Sequence, residues 1–233
     1  MAESSTRAVE RALTLLAVVS EQGTLSLADC ARATALPAST ALRLLRTLEQ
    51  TGFIRRDDDG RFRSGGRILQ IGAQALSQES VVSLCRDAME AVAQATGEST
   101  YLSMRGHGRT LVYVDIVEGT HSVRHSSWVG RSIPLDGTAA GAVFAAGAVG
   151  DDYVVVRGGV ERDVTAIAVP VRAAQRTVAA MSAVIPDYRA TADVVETTGG
   201  LLLRAAAVVS LDLGAPGQPT PSPHRRHLAP TTA

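Results

Sequence analysis

The stretch Leu36-Pro37-Ala38-Ser39-Thr40-Ala41-Leu42-Arg43-Leu44-Leu45-Arg46-Thr47-Leu48 decides the reading of the first third of the chain. Ala38, Ala41, Leu42, Leu45 and Leu48 recur at three- and four-residue spacing, which gives a helix one apolar side. Ser39, Arg43, Arg46, Thr47 and Gln50 take the other side, with Thr40 beside them at the N-terminal end. Pro37 suits the start of that helix and Gly52 its end. Working outward, Ser26 precedes Leu27-Ala28-Asp29, a serine cap with an acid three residues on, so a shorter helix opens there. Residues 7–21 form an amphipathic helix through Val9, Ala12, Leu13, Leu16 and Val19, stopped at Gly23. Downstream, Phe53-Ile54-Arg55-Arg56 and Arg61-Phe62-Arg63 flank Asp57-Asp58-Asp59-Gly60, the signature of a hairpin.

Two short helices joined by a tight turn and followed by a basic hairpin are the parts of a winged helix-turn-helix, here residues 5–66 with the motif at about 26–47. In that arrangement the second helix lies in the DNA major groove. Hydroxyls suit phosphates, and arginine suits guanine edges or phosphates. Ser39, Thr40, Arg43, Arg46 and Thr47 are therefore the expected reading residues, and Arg55, Arg61 and Arg63 the expected phosphate contacts of the wing. The three aspartates would be repelled by phosphate, so the hairpin tip is expected to stay out of the groove.

Composition bounds the remainder. The 233 residues are 45% hydrophobic and 20% charged, enough to bury a real core. All 23 basic residues are arginine, and they balance 23 acids. Residues 37–67 nonetheless hold 7 arginines against 4 acids, a local basic patch. Arginines and acids interrupt each apolar run, so no membrane span is expected. The opening residues do not read as a secretion signal, which makes the expected location the cytoplasm, with the nucleoid. Residues 67–79 read as a linker and dimerisation helix with Leu69 and Leu76 on its apolar side. Residues 80–213 alternate between helix and strand patterns, with strands expected at 98–104, 110–117, 121–127, 153–156, 164–172 and 177–185. The fold class is thus α+β. Residues 214–233 hold five of the nine prolines and read as a disordered tail.

Arg7-Ala8-Val9-Glu10-Arg11-Ala12, the stretch from Leu36 to Leu48 and Gly52-Phe53-Ile54 together resemble the IclR family of bacterial transcription regulators. Gly97-Glu98-Ser99, Val117-Glu118-Gly119, Gly130-Arg131-Ser132-Ile133-Pro134-Leu135, Thr138-Ala139-Ala140-Gly141 and the run from Val164 to Val171 extend the resemblance to about residue 213. It implies a DNA-binding winged helix-turn-helix, a linker helix and a GAF-like α/β effector-binding domain, in dimers or dimers of dimers. Asp136 and Ala142 stand where the family usually has histidine and lysine, and the connection from Ala148 to Tyr153 is shorter than usual. A shortened effector domain is expected to favour a small polar ligand, or none, over a bulky aromatic acid.

The pocket candidates are Thr100 and Leu102 on one strand, Thr165 and Ile167 on another, Trp128 and Met181 as apolar walls, and Asp136 and Thr138 near a helix start. No cofactor, metal site or catalytic group is expected. His121 and His125, four apart on an expected strand, would stand roughly 13 Å apart, too far for one ion. Cys85 sits among apolar neighbours and reads as a structural thiol. The expected partners are double-stranded operator DNA, a second copy of the chain, and a small-molecule effector. Two rivals stand beside this reading. One keeps the DNA role without metabolite sensing, with control by abundance or a protein partner; the other is an enzyme in residues 80–213, which lacks a paired acid and base.

Overall fold

The computed structural model describes residues 2–77, 80–125, 128–145, 152–174, 176–215 and 226–228; the side chains of residues 2–6, 76, 77, 80 and 226–228 lie outside that description. The chain divides into two compact units, Met1–Gln78 and Glu79–Ala233.

In the first unit, helices α1 (Ala2–Gln22), α2 (Leu27–Ala33) and α3 (Ala38–Gln50) precede strands β1 (Ile54–Arg56) and β2 (Phe62–Ser64) and helix α4 (Gly66–Ser77). The Ser26 hydroxyl accepts the Asp29 N–H at 3.2 Å while the Asp29 carboxylate accepts the Ser26 N–H at 3.3 Å, a reciprocal cap that fixes where α2 starts. The Ser26 hydroxyl also donates to the Asp29 carboxylate at 2.6 Å, and this bond first, with that of the Ser26 N–H, holds the Asp29 carboxyl below the usual carboxylate range. Pro37 is the N-cap of α3 and caps no N–H with a side chain. Leu15, Val19, Cys30, Leu45, Ile54 and Phe62 close a core under α3. Leu25 pairs with Phe62 as a third rung of the hairpin sheet. Gly65 belongs there because a Cβ would stand 2.2 Å from the Gly52 carbonyl oxygen, where the hairpin returns across the end of α3.

Two packing expectations shift. Leu44 is buried on α3, whereas Ala38 is exposed and Leu42 half-buried, because the helix rotates its branched Leu44-Leu45 pair into the core. On α1 the apolar residues divide: Leu15 and Val19 are buried, while Val9 and Leu13 remain exposed on another side.

The second unit is a seven-stranded sheet in the order β5-β4-β3-β8-β7-β6-β9. Its strands are β3 (Ser99–Arg105), β4 (Thr110–Val117), β5 (Ser132–Pro134), β6 (Val154–Arg157), β7 (Val164–Ala173), β8 (Arg176–Pro186) and β9 (Arg226–Leu228). Every pairing is antiparallel except that of β6 with β9. Strand alternation divides the buried residues between two faces. Leu102, Ile167, Val169, Met181 and Ile185 pack under α5 (Ser80–Thr96) and α7 (Ala192–Asp212). Tyr101, Tyr113, Ala168, Ala180 and Val184 pack on the opposite face with α6 (Ala139–Ala145).

Two expectations are corrected here. Residues 121–125 form no strand: only Val123 is apolar among them, and Thr120 and His121 donate their N–H groups to the single carbonyl of Gly97. The edge place beside β4 goes to β5 instead. The C-terminal residues 214–233 are not wholly a disordered tail, because Arg226–Leu228 pairs with β6 in parallel, in register with Val154–Val156, covering an otherwise open edge. Helix α7 is long and apolar enough by length and composition alone to match a spanning helix, yet it packs against the sheet as a core helix. The short connection after Ala148 falls outside the described residues.

Candidate nucleic-acid interface and ligand cavity

On α3, Ser39, Arg43, Arg46 and Thr47 are exposed together and Thr40 is half-buried beside them. The Thr47 hydroxyl donates to the Arg43 carbonyl at 3.2 Å, which turns an oxygen lone pair outward. Among the described residues no ion pair engages Arg43, Arg46, Arg55 or Arg61, so four guanidinium groups keep their charge uncompensated. The hairpin register places Arg55 directly opposite Arg63. Like charges across an antiparallel pair repel, a cost that a bound anion would remove. Arg63 is partly compensated by Asp57 at 3.8 Å. Arg56 differs from its neighbours, because its guanidinium lies over the Phe62 ring at 4.7 Å and reaches Glu49 at 3.9 Å.

The acidic hairpin tip has a structural task. The Asp57 carboxylate accepts the Arg61 N–H at 2.8 Å, and Gly60 with φ 74° completes the turn. Asp58 and Asp59 remain exposed. The basic surface is therefore α3 plus the hairpin flanks.

In the second unit a cavity of about 20 Å³ lies between the sheet and α6, lined among others by Tyr113, His125, Trp128, Ile133, Thr138 and Ser182. That is room for about one water molecule. Trp128 meets His125 edge-on at 4.7 Å, Tyr101 and Tyr113 stack obliquely at 4.7 Å, and the Arg131 guanidinium covers Trp128 at 4.6 Å. Tyr101 and His125 Nδ1 share a hydrogen bond of 2.6 Å, and His125 Nε2 stands 3.5 Å from Glu161. Burial pushes the Tyr113 hydroxyl up to about 12 and that of Tyr101 also upward, so both stay neutral at physiological pH.

The segment carrying His125 is held from below by a buried ion pair. Glu98, almost fully buried, receives two bonds of 2.9 Å from Arg189, which also donates to the Val123 carbonyl at 2.9 Å. His121 Nε2 approaches Glu98 at 3.6 Å. Gly119 fits because a Cβ would stand 2.2 Å from the Gly97 carbonyl oxygen.

Of the residues expected at the pocket, Trp128 and Thr138 line the cavity. The Thr138 hydroxyl is occupied, donating to the Pro134 carbonyl and accepting the Gly141 N–H. Leu102, Ile167 and Met181 lie on the wrong face for it, in the core under α5 and α7. Thr100 donates on that same side to the Met89 carbonyl, and Thr165 donates to Asp187. Asp136 is on the surface, clasped by Arg109 at 2.6 Å. The lining of β7 and β8 comes from the adjacent parity, Val164, Ala166, Ser182 and Val184. Ala166 and Ser182, small residues at two of those positions, are the available signal, since a cavity needs positions that do not fill it. His121 and His125 are not strand neighbours, and no group of metal-ligand residues occurs among the described residues. Cys30 and Cys85 are both buried free thiols; burial pushes Cys85 up to about 12.

On α4, Leu69 is 76% exposed and Ile71 is exposed, while the Leu76 side chain lies outside the described residues. Leu13 and Leu16 of α1, Phe53, and Ile68 and Ile71 of α4 line an apolar groove on this unit.

Known proteins share this construction. The IclR helix-turn-helix domain matches residues 8–58, and the bacterial transcriptional regulator IclR C-terminal domain matches residues 73–154. XynR, an HTH-type transcriptional regulator of Escherichia coli, is 30% identical over 60% of this chain and 56% of its own length. The chain spans about half the length of the curated relatives it matches. An IclR transcriptional regulator from Alicyclobacillus acidocaldarius superposes with a TM-score of 0.77 at 22% identity, over 89% of this chain and 99% of its own. An IclR homologue from Microbacterium hydrocarbonoxydans, solved with 4-hydroxybenzoate, gives 0.73 at 24% identity, again over 89% and 99%. With both halves matched in order and the fold shared along nearly the whole chain, this protein belongs to the IclR family of bacterial transcriptional regulators.

Proposed function

We propose that the protein is a sequence-specific DNA-binding regulator of transcription, without enzymatic activity, that works in the cytoplasm as a dimer or a dimer of dimers on a roughly palindromic operator. The observation that carries this reading is the uncompensated arginine set. Arg43 and Arg46 stand on the outward side of α3, and Arg55 and Arg61 on the hairpin that follows it. Ser39, Thr40 and Thr47 add hydroxyls, and the uncapped start of α3 adds backbone N–H groups for a phosphate. Arg63, opposite Arg55, adds a third wing contact once phosphate offsets their repulsion. One winged head reads too few base pairs to be selective in a genome. Pairing through the apolar α1–α4 surface, with Leu13 and Ile71 in its groove and Leu69 exposed on the same helix α4, would bring two heads to two half-sites. Selection of bound fragments from the source chromosome by the purified protein tests this; enrichment of a symmetric motif is expected, and uniform recovery of all fragments would refute it.

The second unit is read as a ligand sensor whose cavity is shut. Among the described residues its lining contains no Arg, Asp or Glu, and apart from His125 its polar groups are neutral hydroxyls and the indole. A ligand larger than a water needs this cavity to widen. The complex of the Microbacterium relative with 4-hydroxybenzoate supports sensing by this fold. A rise in thermal stability with a small uncharged metabolite, abolished by Ser182→Leu, is the expected result; no stabilisation from any metabolite class would leave the non-sensing regulator as the reading.

A further inference from the structure

Strand β6 pairs with β7 on one side and with β9 on the other. Its residues Val154, Val155 and Val156 are all buried, Val154 and Val156 on the α6 face of the sheet and Val155 on the face under α7. A strand that ends a sheet is usually guarded by a charge, a proline or a bulge, and these three valines carry none of them. Their cover is β9, a ladder of only three residues, in the parallel arrangement that is less stable per residue. A cover that short opens readily.

β6 also carries one wall of the ligand cavity. Val156 lines it, and the turn that follows supplies Gly159 and Val160. Gly159 presses on the segment just ahead of α6, where a Cβ would stand 2.5 Å from the Gly137 carbonyl oxygen. Glu161, in the same turn, faces His125 across 3.5 Å. The Gly158 N–H donates to the Val164 carbonyl at 2.9 Å, so the turn is joined to the β6–β7 hairpin and moves with it. Drawing this wall away from His125 and Gly137 widens the cavity, and it draws β6 along.

We propose that β9 is a removable clamp on this wall: paired with β6 it holds the cavity at the size of a water, and its release lets the turn at Gly159–Glu161 swing outward and admit a ligand. The register supports the coupling, because Leu228 of β9 pairs with Val156, the β6 residue that lines the cavity. A ligand that fits only the widened cavity then competes with β9, and anything that captures residues 226–228 raises its affinity. The clamp deepens the sensor reading of the second unit and rests on it for what is admitted. Its opening is measured without a ligand, so the two readings fail separately.

The test compares the full chain with one ending at Ala215, beyond the end of α7, by hydrogen exchange and by acrylamide quenching of Trp128. Trp128 lines the cavity and is the single tryptophan of the chain, and acrylamide is a neutral molecule larger than water. Removing β9 should speed amide exchange at residues 154–157 about tenfold or more, and quenching should rise. Exchange in β3 and β8, in the middle of the sheet, should match the parent, which also shows that the shortened chain is folded. The full chain with His227→Pro and Leu228→Pro should behave like the shortened one, because proline has no N–H to give to β6. A synthetic peptide of residues 220–233, added in excess to the shortened chain, should restore both readings, and the same peptide with the two prolines should restore neither. Parental exchange at 154–157 in both variants overturns the proposal. Faster exchange there with Trp128 quenched as in the parent also overturns it, since β9 would then cover the edge without closing the cavity. If both readings move as expected but no metabolite stabilises the shortened chain in thermal scans, the clamp stands and the sensor reading falls.

Discussion

Replacing Arg189 with alanine removes the one arginine that reaches Glu98 among the described residues, and the cost follows from the geometry. Glu98 is 1% exposed and holds two bonds of 2.9 Å from that guanidinium. Breaking a buried pair from one side costs roughly 3–5 kcal/mol, because the remaining charge stays desolvated. Two features place this pair at the lower end. His121 stands 3.6 Å from the same carboxylate and can lend partial compensation, and truncating Arg189 lets water reach Glu98. The loss of the bond to the Val123 carbonyl adds about 1 kcal/mol. About 4 kcal/mol is expected, a drop of roughly 8–16 °C in the melting temperature of a unit this size. Trp128 is the only tryptophan in the chain, so its fluorescence reports the second unit alone. Urea titration by that signal gives the value directly. Glu98→Gln in the Arg189→Ala background should recover more than half of the loss, since a neutral amide tolerates burial better than an orphaned carboxylate. A cost under about 1 kcal/mol, or a double variant no more stable than the single one, would refute the view that this ion pair anchors the segment carrying His125.

Further outcomes follow from other residues. Arg55→Ala should weaken binding to all DNA sequences alike and lower the salt slope by about one, read by anisotropy across a salt series. Leu69→Glu should dissociate the α1–α4 pairing, lowering the mass in light scattering and weakening operator binding without changing helical content. Ser26→Ala should release the Asp29 carboxyl toward its ordinary value of about 4. Because Asp29 is depressed in the folded protein, its contribution is present above that value and lost as pH falls through its folded pKa. The stability curves of parent and Ser26→Ala should therefore converge in acid, in denaturant titrations between pH 6 and 2.

The helix-turn-helix was legible because each of its boundaries carries local chemistry. Ser26 with Asp29 starts α2, Pro37 starts α3, Gly52 ends it, and Asp57 with Gly60 turns the hairpin. All of these act within a few residues. In the second unit strands β3, β4, β6, β7 and β8 were legible as runs of apolar and β-branched residues between turns, whereas β5 and β9 were not. What the sequence could not assign was which face of a strand meets which layer. Both faces of this sheet are covered, so both parities are apolar and the period-two signal vanishes. Choosing Ile167 and Met181 for the pocket followed size, whereas the cavity forms where Ala166 and Ser182 leave space. Residues 121–125 escaped because their conformation is fixed by distant partners, Gly97, Glu98 and Arg189, that no local pattern announces. The β9 pairing is likewise a long-range edge contact of a segment whose composition suggests none.

The claim on which the account rests is that the outward side of α3 reads DNA sequence. The direct measurement is competitive fluorescence anisotropy at one salt concentration, with an operator selected by the parent protein against a scrambled duplex of equal length. The parent should prefer the operator by roughly a thousandfold or more. Arg43→Ala and Thr40→Ala should each lose about 1–3 kcal/mol of operator binding while affinity for the scrambled duplex changes little for Thr40→Ala and modestly for Arg43→Ala. Equal affinity of the parent for both duplexes, or full operator preference retained in both variants with the fold intact, would contradict it.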